Sequence, residues 1–186
     1  MDMLVYMFLA EGFEETEAIG CLDVLRRAEI EALTVGVGGK EIKGSHGISV
    51  VADIELEKID FDSLDGVILP GGMPGTMNLQ AEEKVIEAVK YCAENGKLVA
   101  AICAAPMILG KLGLLNGKRA TCYPGFEEFL EGAELDDSLV SIDGNIVTGK
   151  GAGASMLFGA RIADWFKAGA GQEVLDMMQH PHISSL

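Results

Sequence analysis

Four cysteines and three histidines are the residues in this 186-residue chain best suited to nucleophilic or metal chemistry. Cys21, Cys92, Cys103 and Cys122 form no C-x-x-C pair and have no histidine nearby. Neither a zinc site nor a redox pair is signalled, and no metal is expected. Cys103 stands apart because it ends the apolar run V-A-A-I-C-A-A-P. That run has the form of a nucleophile elbow, a sharp strand-to-helix turn whose crowding demands small residues two positions before and after the nucleophile, here Ala101 and Ala105. A cysteine at a helix N-terminus meets unpaired N–H groups and the positive end of the macrodipole, so a lowered thiol pKa is expected. Taken alone, Cys103 would read as a small core residue, since free cysteine is commonly buried. The elbow pattern makes it the candidate nucleophile.

Two further clusters stand at strand ends. Pro70-Gly71-Gly72 stops a short apolar strand, and the Gly72 N–H could point at the same spot as the Ala104 N–H, giving a two-donor oxyanion site. Glu14, Glu15 and Glu17 open a helix, where acidic residues complement the dipole; periodicity does not choose among them. Gly149-Lys150-Gly151-Ala152-Gly153-Ala154-Ser155 follows a strand and opens a helix, but its lysine is misplaced for a phosphate loop. Close helix packing accounts better for its small residues. His46 lies in the turn Gly44-Ser45-His46-Gly47, where a surface histidine is the ordinary expectation, and His180 and His182 sit in a tail read as solvated.

These residues need elements to hold them. Met3–Leu9, Ala32–Val37, Gly66–Leu69 and Leu98–Ile102 read as buried strands, with a minor strand at Ile48–Val51. Helices are expected over Glu14–Ala28, Glu82–Asn95, Pro106–Leu115 and Ala152–Lys167, with a short one over Pro124–Leu130 and a last one near Gly171. A strand near Arg119–Cys122 follows the elbow helix. Leu139–Ile142 and Asn145–Thr148 form a hairpin around Asp143-Gly144. Apolar strands alternating with helices predict an α/β fold: a doubly wound, mostly parallel sheet with helices on both faces, a flavodoxin-like sandwich filling residues 1–186 as one domain. Ligands of such folds bind at the carboxyl ends of the strands, where Leu9, Leu69 and Ile102 should share one edge.

Composition narrows the partners. With 49% hydrophobic residues and 24 glycines the chain is globular. A formal net charge of −15 repels phosphate backbones and anionic lipid, so neither nucleic acid nor a membrane surface is expected. No apolar run reaches the roughly 20 residues of a membrane span, and no signal peptide is visible. Reduced thiols fit a cytoplasmic location.

The motifs L-A-E-G-F-E-E-T-E, V-I-L-P-G-G and A-A-I-C-A-A-P, in this order along the chain, resemble the DJ-1/ThiJ/PfpI superfamily, and its DJ-1-like branch above all. The resemblance implies a reactive, easily oxidised Cys103, with Glu17 hydrogen-bonded to its sulfur as general acid/base and oxyanion donors at Gly72 and Ala104. Burial and a neighbouring negative charge should hold Glu17 protonated. The family often has a histidine where this chain has Tyr123, so a Cys-His dyad is excluded there. The protease-like branch places histidine directly after the cysteine, and Ala104 at that position disfavours peptidase activity. An arginine often holds the position of His46 and approaches the partner's site across a homodimer, a part His46 could take. The resemblance further implies a cofactor-free activity on small α-oxoaldehydes, a glutathione-independent glyoxalase converting methylglyoxal to lactate, or a deglycase acting on their protein adducts. The alternative is an oxidative-stress sensor or chaperone working through oxidation of Cys103. Cys122 faces away from the elbow, so a resolving role is disfavoured.

Overall fold

The computed structural model describes residues 3–181. The chain opens with β1 (Leu4–Leu9), α1 (Glu15–Arg27) and β2 (Glu31–Gly36), followed by the short strands β3 (Glu41–Lys43), β4 (Ser49–Val51) and β5 (Ile54–Glu55). Next come β6 (Leu64–Leu69), α2 (Gly75–Ala81), α3 (Glu83–Glu94), β7 (Leu98–Ile102) and α4 (Pro106–Lys111). The remainder is β8 (Arg119–Ala120), β9 (Glu134–Leu135), the hairpin β10 (Val140–Asp143) and β11 (Ile146–Gly149), α5 (Ser155–Phe166) and α6 (Ala170–Met177).

Seven strands form one sheet in the order β10-β11-β7-β6-β1-β2-β5. All its pairings are parallel except that of β10 with β11. The mostly parallel α/β sandwich expected from the sequence is therefore the fold. Alternation along the strands builds it: Val5, Met7 and Leu9 of β1 join Ala100 and Ile102 of β7 in a core under α1, α5 and α6. Tyr6, Phe8, Val99 and Ala101 face the opposite core, with Val85 and Val89 of α3 and Ile108 of α4. Both faces are covered, which is why β7 is apolar at every position. Glycines set the α1–α5 spacing, since a Cβ on Gly159 would lie 3.0 Å from the Cys21 carbonyl and one on Gly20 3.3 Å from Ser155.

Several local expectations need correction. The elbow helix ends at Lys111 rather than Leu115, and Gly113 turns the chain at φ 72°. The strand expected over Arg119–Cys122 keeps only two residues, paired with β9 in a separate small sheet. Pro124–Leu130 contracts to a 3-10 turn over Glu127–Phe129. Residues 152–154 form a 3-10 turn before α5 begins. α2 has no counterpart among the sequence expectations, since Pro74 ahead of it and a glycine at its first position are residues that ordinarily punctuate helices.

Candidate functional site

β1, β6 and β7 are neighbours in the sheet, so the three strand ends lie side by side as expected. At the end of β7 the chain reverses at Cys103, whose φ of 64° is a left-handed conformation that residues with a Cβ rarely adopt. Strand β11 and the loop after β8 hold it there. The Cys103 N–H donates to the Gly149 carbonyl at 2.9 Å, and its carbonyl accepts the Tyr123 N–H at 2.9 Å. Ala101 and Ala105 are fully buried, so larger side chains at either position would displace the turn. The thiol is left partly exposed, with the N–H groups of Ala104 and Gly72 directed at its sulfur, where they favour the thiolate.

Glu17 reaches the same place from the first turn of α1. Glu14 caps that helix, its Oε2 accepting the Glu17 N–H at 2.7 Å, and the Glu14 N–H donates to the Gly71 carbonyl at 2.9 Å. The Glu17 carboxyl is 1% exposed and accepts the Gly71 N–H on Oε2 at 2.8 Å. Oε1 is buried without a partner of full hydrogen-bond geometry, and the Cys103 thiol is the group beside the carboxyl able to share a proton with it. A Cβ on Gly71 would lie 2.6 Å from the Cys103 Cβ and 2.8 Å from Glu17 Oε2, so only glycine lets thiol and carboxyl meet.

Burial raises the Glu17 carboxyl to about 7, with the Glu14 charge adding to it; hydrogen bonds from Gly71 and Cys103 oppose the rise. Burial likewise pushes the Cys103 thiol up to about 12, helped by the Glu17 charge and its hydrogen bond, while the Ala104 and Gly72 N–H groups pull the other way. The lowered thiol pKa expected from the helix N-terminus is thus overturned: six-residue α4 cannot outweigh burial beside a carboxylate. Two of the three upward pushes come from ionised Glu17, so a proton on Glu17 removes them. The pair titrates as one unit.

The other sequence candidates sort by distance from this pair. The Tyr123 ring is half exposed beside Gly151, while its backbone holds the elbow. Cys122 is buried, lines a separate cavity of about 400 Å3 with Lys150 and Glu127, and has its thiol raised by burial to about 11. Lys150 binds Asp137 rather than facing a phosphate cradle. His180 is half-buried at the end of α6 rather than fully solvated, its N–H donating to the Leu175 carbonyl, and His182 lies outside the described residues.

Sequence reasoning missed the work of Glu15. This buried carboxyl accepts the N–H groups of His46 (2.7 Å) and Ile48 (3.3 Å) on Oε1, with the Ser45 hydroxyl (3.3 Å) and His46 Nδ1 (3.0 Å) at Oε2. Burial alone would raise it, but these bonds outweigh burial and bring it to about 2. His46 is raised in turn by its bond to Glu15. The imidazole is thereby tied to the turn's own subunit, while its side chain remains 72% exposed. A helix-opening E-E-x-E followed by a distant glycine-rich turn carries no sequence signal for this latch.

The sequence and the fold recur in known proteins. Residues 3–164 match the model of the DJ-1/PfpI family. Protein dj-1beta of Drosophila melanogaster is 36% identical over 167 residues, 88% of this chain and 89% of that protein. Its crystal structure superposes with a TM-score of 0.92 over 98% of this chain and 100% of that chain at 34% identity. A deglycase of Pyrococcus abyssi is 35% identical over 150 residues, 80% of this chain and 90% of that protein. Oxidized DJ-1 of Toxoplasma gondii superposes with a TM-score of 0.92 at 27% identity, over 97% of this chain and 100% of that one. With the family model spanning most of the sequence and the fold shared throughout, this chain belongs to the DJ-1/PfpI family.

Proposed function

We propose that the protein is a cysteine-dependent enzyme acting on small α-oxoaldehydes or on their protein adducts, with residues 1–186 working as a single domain. The observation that carries the reading is the strained Cys103, flanked by two N–H donors and a buried carboxyl whose protonation is balanced near neutrality. Cys103 attacks the aldehyde carbon as thiolate, the proton residing on Glu17. The new S–C bond sends the carbonyl electron pair to oxygen, where the Gly72 and Ala104 N–H groups stabilise it until Glu17 delivers its proton. Glu17, now ionised, removes the hydrogen from the former aldehyde carbon, and a proton returned to the adjacent carbon converts the hemithioacetal of methylglyoxal into a lactoyl thioester. Water then releases lactate and restores the thiol. No cofactor enters this sequence. The name of the Pyrococcus relative favours the adduct substrates, which use the same addition step.

Incubating the protein and Cys103→Ser with methylglyoxal in thiol-free buffer, and following lactate enzymatically, tests the reading. Lactate formation lost in the variant supports it; equal lactate from both refutes it. A second reading, oxidation sensing, is favoured by the protonated carboxyl beside the thiol, which can donate a hydrogen bond to a cysteine sulfinate. Mild peroxide should then add two oxygens to Cys103 and none to buried Cys21, Cys92 or Cys122; tandem mass spectrometry that places the oxygens elsewhere rejects it.

We further propose a cytoplasmic homodimer. Ile19 of α1 and Ile48 and Val51 beside the Glu15-tethered turn are exposed apolar side chains on adjacent elements, and they supply the contact. In that dimer the exposed edge of His46, whose Nδ1 stays with Glu15 of its own chain, would approach the partner's site. Ile48→Glu should give a monomer in sedimentation velocity, and an unchanged dimer would place the contact elsewhere.

A further inference from the structure

The Glu15 latch has a property that thiol chemistry does not use. Glu14, Glu15 and His46 each present one ligand atom, and the three atoms lie within 4.8 Å of one another. Two carboxyls come from the start of α1 and an imidazole from a turn 31 residues further on, so the cluster mixes donor types from separate segments. His46 Nδ1 is 3.0 Å from Glu15 Oε2 and 3.8 Å from Glu14 Oε1.

An ion with bonds of about 2.0 to 2.2 Å holds neighbouring ligands roughly 2.9 to 3.4 Å apart, from octahedral to tetrahedral. The His46–Glu15 distance already falls in that range, and Glu14 Oε1, 3.8 Å from His46 Nδ1, must close on the ring by roughly 0.4 to 0.9 Å. It is free to do so: Glu14 Oε2 caps α1, while Oε1 accepts no hydrogen bond among the described residues. Among those residues no lysine or arginine pairs with Glu14 or Glu15; His46 is their only cationic neighbour. Both carboxyls are largely withdrawn from water, with side-chain exposures of 14% and 8%. Carboxylates so placed are stabilised by a compensating cation, and here two of them share one imidazole. The positive end of α1 opposes a cation here, but Glu14 and Glu15 supply the larger negative charge.

We infer that Glu14, Glu15 and His46 form a binding site for a divalent first-row transition metal, of which zinc is the natural probe. One nitrogen and two oxygens suit such an ion better than magnesium or calcium, which favour all-oxygen shells. Binding exchanges one species for another: the metal takes the place of the Nδ1 proton between ring and carboxylate, that proton leaves to solvent, and water fills the remaining coordination positions. No electron moves. The His46 Nε2 edge stays open in either state.

The test uses the full chain carrying Cys103→Ser, which removes the competing thiol and makes the result independent of the enzymatic proposal. Zinc is titrated while long-range 1H–15N spectra follow the assigned imidazoles. Saturable movement of the His46 Nδ1 resonance, with proton release measured by calorimetry in two buffers of different ionisation enthalpy, is expected. Glu14→Gln and His46→Ala should each weaken binding at least tenfold, and circular dichroism establishes that both remain folded. Zinc shifts confined to His180 or His182, or titrations of Glu14→Gln and His46→Ala that match the parent, overturn the site.

Discussion

Replacing Glu17 by glutamine should make the protein more stable at pH 8 while leaving its stability near pH 4.5 almost unchanged. The carboxyl titrates at 4.5 ordinarily and at about 7 in the fold. Between those values the folded chain binds more protons than the unfolded one, so stability falls as pH rises through the window and the loss is complete above about 7. At about 1.4 kcal/mol per pH unit, the penalty of ionising this buried group reaches about 3 kcal/mol. Glutamine carries no such penalty. Its carbonyl can accept the Gly71 N–H as Glu17 Oε2 does, and its amide can face Cys103, so the packing survives. Urea denaturation of both proteins at half-unit steps from pH 4.5 to 8 measures the difference, and that upper limit keeps ionisation of unfolded cysteine out of the comparison. The variant's advantage should grow with pH and level off above 7, with equal m-values. An advantage independent of pH, or one that shrinks as pH rises, would refute the claim that Glu17 is held protonated by burial.

Gly71→Ala places a methyl against the Cys103 Cβ and Glu17 Oε2; it should cost about 1 to 3 kcal/mol by overpacking and slow thiol labelling and turnover together, as read by denaturation and iodoacetamide kinetics. Glu15→Gln should destabilise the protein at neutral pH. Because the folded carboxyl is depressed, that loss should be full above pH 4.5 and fade as acid titration runs down toward pH 2, followed by circular dichroism. Gly149→Ala would bring a Cβ within 2.8 Å of Ile102 Cγ1; a destabilisation of about 1 to 3 kcal/mol is expected in thermal melts, with a changed Cys103 reactivity because Gly149 anchors the elbow.

Apolar runs long enough to cross a buried sheet were legible: β1, β7 and the 66–69 stretch of β6 were readable because both faces are covered and their positions must be apolar. The elbow was legible because crowding restricts Ala101 and Ala105. Segments whose structure depends on distant partners were not. α2 is built on loop contacts with Gly12 and Phe13 rather than on its own periodicity, and β8 pairs only with a strand 15 residues later. At the site, the helix N-terminus was visible at Cys103 but its burial beside Glu17 was not, so the direction of the thiol shift was misjudged. The Glu15 latch was invisible because four of its hydrogen bonds cross about thirty residues.

The two backbone bonds that hold Cys103 in its left-handed turn come from Gly149 and Tyr123, and the groups around its sulfur come from residues 17, 71, 72 and 104. The thiol environment is therefore assembled from five stretches of chain, none of which holds it alone. A partly folded chain, with β11 not yet docked on β7, has a flexible and ordinary cysteine. The environment that sets Cys103 apart requires all five stretches to be in place, so labelling it during refolding should report completion of the native sheet rather than collapse of its core.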